Sequence, residues 1–435
     1  MRSPTITACQ PPPLSDLALA EPYAMLLDGG APQHPLGQRS LLARAPFQVV
    51  VVRGRRALIH TAGGCREVWG DPWEIMRELM APYRQAADPR HPCPGGVVGY
   101  LGYDLARLHF ALPDQPDPLG LPDAVFGFYR DVICWEPGSG TAWHGRAASA
   151  PDSVVRPELD LPPPGPHRGL DPAGYMQGVQ RILEYIAAGD IYQANLTLQM
   201  RAHTPLAPPA VYRRLRERTA APFSAYLNLG AAALLSASPE RFLHCSAAGA
   251  VETRPIKGTR PRGRTPAEDR ALAAELLASE KERAENLMIT DLLRNDIGQV
   301  CAIGSVQVPA LWQVESFPTV HHLVSTVTGQ LAAGQTAWDL LRACWPGGSI
   351  TGAPKRRAME IIAELEPVRR GAYCGAIGYW SFDGAMDTSI VIRTLVQRDG
   401  LVGWGVGCGI VADSDPAAEY AEALLKAAAL QAAVG

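Results

Sequence analysis

The chain has 435 residues, of which 47% are hydrophobic and 19% are charged, and its formal net charge at pH 7 is −3. This balance is typical of a globular protein, and it gives no reason to expect a nucleic-acid or an anionic-membrane partner. The sequence has no apolar signal-peptide core, so it gives no prediction of export, and it has no run of about 18 apolar residues that would predict a membrane span. Its nine scattered cysteines indicate reduced thiols in the cytoplasm.

The first part of the chain favours β-hairpins. Residues 1–46 are rich in Pro, Gly and Ala and show little periodicity. A β-branched run at 47–52 and a second apolar run at 57–60 predict a hairpin. Asp71 and Pro72 can cap a helix from about residue 73 to residue 84. A glycine-studded strand at 95–103 and a strand pair within 124–144 follow.

The clearest boundary in the sequence is a Pro-rich segment at residues 150–169. Its centre, PPPGP at 162–166, suits neither a helix nor an interior strand. The segment separates an N-terminal half, residues 1–149, from a region of different texture, residues 170–435.

Helices and strands alternate in the second region. Apolar spacing predicts a helix at 171–188, Thr265 begins one long helix that continues to about residue 294, and a last helix begins near residue 416. Strands are predicted near 224–229, 233–236, 241–245, 320–330 and within 373–411. Hairpins dominate this mixture, so we predict the α+β class with antiparallel sheets.

Lys257 lies in the basic segment 254–262, RPIKGTRPR. The preceding proline has a fixed φ, and Gly258 allows a close backbone approach. We therefore expect the amine to be directed at a target, although most lysines are solvated. A nucleophilic lysine must be neutral, and burial or nearby positive charge favours that form. The neighbouring arginines are candidates for such positive charge.

Two pairs of glutamates lie in predicted helices: Glu282 with Glu285, and Glu419 with Glu422. A spacing of three residues places both members of a pair on one helix face. If the two faces met, their oxygens would suit Mg²⁺. Spacing alone, however, favours two ordinary solvated faces.

A glycine loop precedes a predicted helix at 347–355, GGSITGAPK. It has the glycine spacing of a nucleotide-binding phosphate loop, but Ala353 and Pro354 replace the Lys and the Ser or Thr of that motif. Its backbone N–H groups, around Thr351 and Gly352, still suit a carboxylate or a phosphate.

Two further features lie in the last predicted strands. Glycines alternate along residues 403–409 and leave one face bare for a ligand or a packed neighbour. Arg393 is a charge in an apolar strand and needs a partner, which is either a substrate carboxylate or a structural carboxylate.

Several of these segments occur together in the order found in one family. The sequence from about residue 171 onwards resembles the chorismate-utilising enzymes, which include anthranilate, isochorismate, salicylate and aminodeoxychorismate synthases. Before residue 171 the resemblance is confined to YAMLL at 23–27. The other matching segments are PIKGT at 255–259, RAENLM at 283–288, GSITGAPK at 348–355 and DSDPAAEYAE at 413–422.

The resemblance implies a fold. It is a layered α/β sandwich with two stacked, mostly antiparallel sheets and outer helices. Both halves of the chain then belong to one globule, and residues 150–169 form a surface crossover.

Lys257 is the discriminating position within the family, because anthranilate synthases carry Ala there and aminodeoxychorismate synthases carry Lys. The resemblance implies that Lys257 attacks ring C2 of chorismate. Glu240, in SPERF at 238–242, matches the general acid that protonates the leaving C4 hydroxyl. Ammonia then attacks C4 and releases the lysine, giving 4-amino-4-deoxychorismate for p-aminobenzoate and folate synthesis.

The resemblance also implies the metal and its partners. Glu285 and Glu422 match Mg²⁺ ligands, and Glu282 and Glu419 match positions that act through water. Because the sequence contains no glutaminase module, a separate glutamine amidotransferase subunit is expected to supply the ammonia.

Other positions match the substrate pocket of the family. Tyr373 and Arg393 match residues that bind the enolpyruvyl carboxylate, and Gly407 and Gly409 lie near it. His322 matches a histidine that assists pyruvate loss in anthranilate synthases, a step that amination does not require.

Three alternatives remain open from the sequence. The nearest is anthranilate synthase component I. The others are a nucleotide-binding protein that uses the glycine loop and a catalytically silent partner of a glutaminase.

Overall fold

The computed structural model describes residues 2–12, 19–165, 169–219, 221–317 and 320–435. In chain order the strands are β1 (Thr5–Cys9), β2 (Met25–Asp28), β3 (Ser40–Ala43), β4 (Gln48–Arg53), β5 (Arg56–Thr61), β6 (Gly64–Trp69), β7 (Gly96–Leu101), β8 (Ala124–Tyr129), β9 (Asp131–Trp135), β10 (Ala142–Arg146), β11 (Gln193–His203), β12 (Phe223–Asn228), β13 (Ala233–Ser238), β14 (Arg241–Cys245), β15 (Ala250–Thr253), β16 (Ile256–Pro261), β17 (Gln307–Ser316), β18 (Val320–Gln330), β19 (Gly352–Ala353), β20 (Ala376–Ser381), β21 (Met386–Ile390), β22 (Thr394–Arg398) and β23 (Leu401–Ile410).

The α-helices are α1 (Pro72–Met80), α2 (Pro172–Ala187), α3 (Pro208–Arg218), α4 (Pro266–Ala278), α5 (Glu280–Gly298), α6 (Ala337–Cys344), α7 (Lys355–Leu365) and α8 (Pro416–Val434). Most begin with a side-chain cap. Asp71, Asp171 and Asp415, for example, each accept a hydrogen bond from a backbone N–H of the first turn and precede a proline at the first helical position.

The strands form two antiparallel sheets. The first sheet has the order β1-β10-β9-β3-β2-β12-β13-β22-β23-β11-β19, and the second has the order β16-β18-β15-β14-β21-β20-β7-β8-β4-β5-β6, with β17 also paired to β18. In each sheet the strands from before the Pro-rich segment form one block, those from after it form another, and one strand pair joins the two blocks. In the first sheet β2 pairs with β12, and in the second β7 pairs with β20.

Three apolar clusters define four layers. One cluster fills the space between the two sheets, where residues of both sheets, such as Met25 on β2 and Ile377 on β20, pack together. Helices α1 and α6 cover the outer face of the second sheet, where Trp338 stacks on Trp380 with ring centroids 4.8 Å apart. Helices α2, α3, α7 and α8 cover the outer face of the first sheet. The α+β fold class is confirmed as two stacked antiparallel sheets with outer helices.

The Pro-rich segment contains no helix or strand at residues 151–165, and residues 166–168 lie outside the described part of the chain. The division of the sequence into residues 1–149, 150–169 and 170–435 stays a prediction. None of the described helices combines the length and the apolar character needed to cross a membrane.

Two expectations about secondary structure were wrong. The single helix predicted from Thr265 to residue 294 is two helices, because Ser279 is extended, with φ −64° and ψ 112°, and its side chain caps α5. No strand was predicted in residues 1–46, which show little periodicity but contain β1, β2 and β3. The strands β2 and β3 are short and almost wholly buried, so neither shows the alternation that reveals a strand in sequence.

Candidate active site

Lys257 lies on β16, at the edge of the second sheet. Gly258 beside it has a φ of +83°, and a Cβ atom there would lie 2.9 Å from Glu282 Oε2 and 2.9 Å from Leu276 Cδ1. Only glycine lets this strand lie so close to α4 and α5 with a left-handed backbone. The expectation that Gly258 serves a close approach is confirmed, and the approach directs the neighbouring lysine.

The side chain of Lys257 extends from the second sheet towards the first. Its Nζ donates a hydrogen bond to the main-chain carbonyl of Ser349, 3.3 Å away, and lies 3.3 Å from where a Cβ of Gly409 would be. The half-buried amine is therefore held between the glycine loop and β23.

The arginines near Lys257 in sequence are neutralised by other residues. Arg254 pairs with Glu315, Arg260 pairs with Glu275 and Glu282, and Arg262 pairs with Asp269. Each guanidinium thus has a carboxylate partner, which cancels much of its field at short range. These arginines do not supply the uncompensated positive charge that their position in the sequence suggested.

Glu240 follows β13 and is only 6% exposed. Burial raises its pKa to about 7, against the opposing effects of the Ser349 hydroxyl, the charge of Lys257, the Ile256 backbone N–H and the charge of Arg393. A carboxyl group with a pKa near neutrality can give up a proton at physiological pH and recover it, as a general acid must. Glu240 and Lys257 thus lie near each other although they are 17 positions apart in the sequence.

The predicted glutamate pairs on α5 and α8 converge, and we call Glu282, Glu285, Glu419 and Glu422 the glutamate cluster. Burial raises the pKa of Glu285, and the negative charges of Glu282 and Glu419 raise it further. The charge of Lys257 opposes that rise, so the cluster borders the lysine. Among the described residues Glu285 has neither a hydrogen-bond nor an ion-pair partner.

The other three glutamates have protein partners. Glu282 is 3.4 Å from Arg260, Glu419 accepts a 2.7 Å hydrogen bond from Ser414, and Glu422 is 2.8 Å from Lys426. Ligand atoms of Glu419, Glu422 and Cys408 lie within 4.8 Å of one another. Grouped carboxylate oxygens suit a hard divalent cation, and the four glutamates therefore fit Mg²⁺.

In the glycine loop, residues 347–352, Ser349 contacts Lys257, whereas the sequence had drawn attention to Thr351 and Gly352. The Thr351 hydroxyl donates to Gly347 O at 2.9 Å and to Gly348 O at 3.3 Å, so it braces its own loop. Gly352 packs on β11, where a Cβ would lie 2.1 Å from Gln193 O. Ser349 is the loop residue that contacts Lys257 and acts on Glu240.

Arg370 fixes this loop from behind and was missed by sequence reasoning. It is 5% exposed and donates to Ile350 O at 2.8 Å and to Asn195 O at 2.6 Å. Its charge is balanced by Glu366, 2.7 Å away. The only signal in the sequence was the spacing of four residues between Glu366 and Arg370, which is common on helix surfaces.

The two residues predicted to bind the enolpyruvyl carboxylate are Tyr373 and Arg393. The ring of Tyr373 packs on Gly405, where a Cβ would lie 2.3 Å from the ring. Arg393 has a φ of +50° and, within the described chain, no carboxylate partner at ion-pair distance. Its charge lowers the pKa of both Glu240 and His322, so it lies near both.

The bare glycine face of β23 is partly occupied by protein. Gly403 packs against Leu119, and a Cβ on Gly407 would lie 2.3 Å from Leu196 O. A Cβ on Gly409 would lie 2.2 Å from Gln193 Nε2. Of these glycines, Gly409 is the one beside Lys257.

His322 is buried on β18. Its Nδ1 is 2.9 Å from Thr259 Oγ1, and its ring meets Phe317 edge-on at 5.2 Å. Burial lowers its pKa to about 4, assisted by the charge of Arg393. The imidazole is therefore neutral at pH 7.

Comparison with known proteins identifies the family. The sequence matches the chorismate binding enzyme family over residues 26–432. The chain belongs to the chorismate-binding enzymes. The resemblance seen in the sequence is thereby confirmed.

Curated relatives of this chorismate-binding enzyme have two different names. It is 42% identical over 412 residues to aminodeoxychorismate synthase component 1 of Escherichia coli strain K12, covering 92% of this chain and 91% of the relative. It is 43% identical over 420 residues to anthranilate synthase component 1 of Thermus thermophilus, covering 89% of each. Overall identity therefore does not choose between these two names.

A solved relative has the same fold. The crystal structure of anthranilate synthase component I from Streptococcus pneumoniae TIGR4 superposes on this chorismate-binding enzyme with a TM-score of 0.79. The two chains are 32% identical, and the match covers 90% of this chain and 92% of the other.

Proposed function

We propose that this protein converts chorismate and ammonia into 4-amino-4-deoxychorismate, a precursor of p-aminobenzoate and folate, in the cytoplasm. The observation that carries the proposal is the amine of Lys257, held at Ser349 beside Glu240 and bordered by the glutamate cluster. The aminodeoxychorismate synthases among the relatives support it. Since anthranilate synthases match equally well overall, Lys257 rather than total identity favours amination.

In the proposed reaction the neutral Lys257 attacks ring C2 of chorismate, both ring double bonds shift, and the C4–O bond breaks. Glu240 gives its proton to the departing hydroxyl, which leaves as water. Ammonia then attacks C4, both ring double bonds shift back, and the C2–N bond to Lys257 breaks. The pKa of Glu240, about 7, is suited to giving this proton at neutral pH.

The substrate carries two carboxylates, and Arg393 is the residue that we propose for the one on the enolpyruvyl group. Arg393 is a partly buried cation without a carboxylate partner in the described chain, so it can accept the enolpyruvyl carboxylate beside Tyr373. We place Gly407 and Gly409 near that carboxylate, and Gly409 leaves room beside the amine of Lys257. We assign Thr351 and Gly352 the supporting task of shaping the glycine loop, and His322 a neutral polar contact.

Mg²⁺ is the metal that the glutamate cluster suits. Glu285 and Glu422 would hold it directly, and Glu282 and Glu419 through water. When bound, the ion would neutralise the carboxylates of the cluster and of the substrate ring. The pKa of Glu285 is raised first by burial and then by the negative charges of Glu282 and Glu419, and a bound cation would offset both effects, which supports this assignment.

Ammonia is proposed to come from a separate glutamine amidotransferase subunit. Close relatives are named component 1 of their synthase, a name that fits one part of a two-part enzyme.

Product analysis tests the function. The protein is incubated with chorismate, MgCl₂ and an ammonium salt, and the product is identified by mass. We expect 4-amino-4-deoxychorismate without pyruvate, and no product from Lys257→Ala. Anthranilate with an equal amount of pyruvate would establish the anthranilate synthase alternative, which the Thermus thermophilus relative favours. Unchanged chorismate would contradict both.

A further inference from the structure

A second cavity lies on the outer face of the second sheet, and we call it the outer cavity. Its volume of about 360 Å³ is within the range of small-molecule sites. Helices α1 and α6 border it, together with the turns that follow β14 and β20. The side chains that line it and bear on its chemistry are Met80, Arg84, Gln85, Trp338, Trp380 and Asp383.

The outer cavity is separate from the candidate active site. Strand β14 begins directly after Glu240 and ends at Cys245, which lines the cavity. The 5 residues of this strand span about 15 Å, so the cavity and the proposed acid lie at opposite ends of it. A ligand in the outer cavity would therefore not touch Glu240.

Gln85 gives the first indication that the outer cavity binds a ligand. The residue is 3% exposed, and neither its Oε1 nor its Nε2 has a hydrogen-bond partner within the described chain. Its main-chain N–H, by contrast, donates to Phe382 O at 3.1 Å. A buried amide with an unpaired donor and an unpaired acceptor destabilises a fold, so it points to a partner from outside the chain.

Trp380 adds another unpaired donor to the same lining. It is 1% exposed and its ring stacks on Trp338, yet its Nε1 has no acceptor among the described residues. Trp338, in contrast, directs its own Nε1 to Met80 Sδ at 3.1 Å. Buried indole N–H groups usually have a partner. The wall therefore combines apolar surface with unpaired hydrogen-bonding groups, as small-molecule sites do.

Two charged side chains of the lining have no charged partner. Arg84 is exposed, and its guanidinium forms no ion pair with any residue that the structure describes. Asp383 is half-buried and accepts from the Ala385 N–H at 2.9 Å, but no described cation lies at ion-pair distance from it. Arg77, the other charged residue of the lining, is already 3.6 Å from Asp339. Arg84 and Asp383 are thus available to a ligand.

We propose that the outer cavity binds a small aromatic acid that carries an amino group. The carboxylate would pair with Arg84, the amino group would donate to Asp383, and the ring would lie against the aromatic wall. The amide of Gln85 and the N–H of Trp380 offer hydrogen bonds to the same polar groups. This site goes beyond the proposed function, in which none of these residues has a role.

The first test compares ligands on the wild-type protein by isothermal titration. p-Aminobenzoate and L-phenylalanine both have the ring, the carboxylate and the amino group, whereas benzoate lacks the amino group and aniline lacks the carboxylate. We expect one of the first two to bind, and its higher affinity identifies the source of the ligand. Benzoate and aniline should each bind at least about tenfold more weakly, because each loses a hydrogen bond to a charged group.

The second test uses variants to locate the binding of the tighter ligand. Arg84→Met should weaken it about tenfold by removing the guanidinium. Gln85→Leu should also weaken it and should raise the Tm of the ligand-free protein, because leucine removes an unpaired buried amide. Arg66→Met is the matched control and should bind like the wild type, since Arg66 is also exposed and has no described ion-pair partner.

Arg393→Met distinguishes the outer cavity from the active site, because an aromatic carboxylate resembles the proposed substrate. Binding that persists in Arg393→Met and is weakened in Arg84→Met supports the outer cavity. The inference is overturned if neither p-aminobenzoate nor L-phenylalanine binds, if Arg84→Met binds like the wild type, or if Gln85→Leu lowers the Tm. Product analysis is a separate measurement, so a failure of the proposed function would leave these results unchanged.

Discussion

Lys257 and Gly409 face each other across the two sheets, and a Cβ atom on Gly409 would lie 3.3 Å from the amine nitrogen. The same Cβ would lie 2.2 Å from Gln193 Nε2. A side chain at position 409 would therefore displace the lysine, the glutamine or both. This relationship makes the glycine a direct test of where the amine must lie.

We expect Gly409→Ala to lower kcat/KM by about 10- to 100-fold, since small displacements of a reacting group have effects of this size. Gly298→Ala is the matched control, because a Cβ there meets nothing within 4 Å. Steady-state kinetics give kcat/KM for both variants. Wild-type kinetics for Gly409→Ala would show that the amine acts from another place.

Lys257 should form a covalent adduct with chorismate when ammonia is withheld. Its Nζ is fixed at Ser349 and ends in the region between the sheets, so it is placed to attack. Intact-protein mass spectrometry should find chorismate less one water on the wild type and nothing on Lys257→Ala. Lys281→Ala, which alters an exposed lysine on α5, should keep the adduct. An unmodified wild type under conditions that support turnover would contradict the covalent route.

Glu240 should govern the alkaline side of the pH–rate profile. The acid must be protonated, so activity should fall as pH rises through its pKa of about 7. Glu240→Gln cannot give a proton and should lose about 10²- to 10⁴-fold in kcat. A flat profile between pH 6 and pH 8.5 would contradict this role.

Ionisation of Glu240 should also lower the free energy of unfolding at high pH. Its pKa in the folded protein is about 7, above the ordinary value of 4.5, so the folded state binds the proton more tightly than the unfolded state. Below pH 4.5 both states are protonated and there is no effect. The cost grows as pH rises towards 7 and is constant above it, at roughly 3 kcal/mol. In urea unfolding, Glu240→Gln should exceed the wild type in stability at pH 8 and match it near pH 4.

Removing a carboxylate of the glutamate cluster should weaken Mg²⁺ binding. Glu285→Ala is expected to reduce the affinity measured by isothermal titration by at least about tenfold and to abolish the magnesium response of the rate, because Glu285 has no competing protein partner among the described residues. Glu422→Ala should behave similarly. Glu280→Ala, an exposed glutamate on the same helix, is the control. Unchanged affinity in Glu285→Ala would remove that residue from the metal site.

Arg370→Met should destabilise the fold by about 3–5 kcal/mol, because it leaves Glu366 buried without its counter-ion. Both side chains of the pair are at most 5% exposed. The comparison is Arg294→Met, which breaks an exposed pair with Asp291 and should change stability by less than about 1 kcal/mol. If Arg370→Met and Arg294→Met lower the free energy of unfolding equally in chemical denaturation, the buried Arg370–Glu366 pair contributes no more than an exposed pair.

The sequence predicted those features that depend on neighbouring residues. The hairpin of β4 and β5 was predicted from a β-branched run and a second apolar run, and a last helix was predicted from about residue 416, where α8 begins. The three-residue spacing of Glu282 with Glu285 placed both on one face of α5 for the same reason. Backbone geometry and side-chain periodicity act over a few residues, so such features can be read from the chain itself.

Only the tertiary structure decided which of these groups are free to act. It paired Arg254, Arg260 and Arg262 with carboxylates, left Glu285 unpartnered among the described residues, and brought Ser349 to Lys257. Desolvation and charge pairing depend on contacts between segments that are distant along the chain. The amino-acid sequence by itself therefore determined which chemical groups are available, and the packing of the two sheets determined their protonation and their partners.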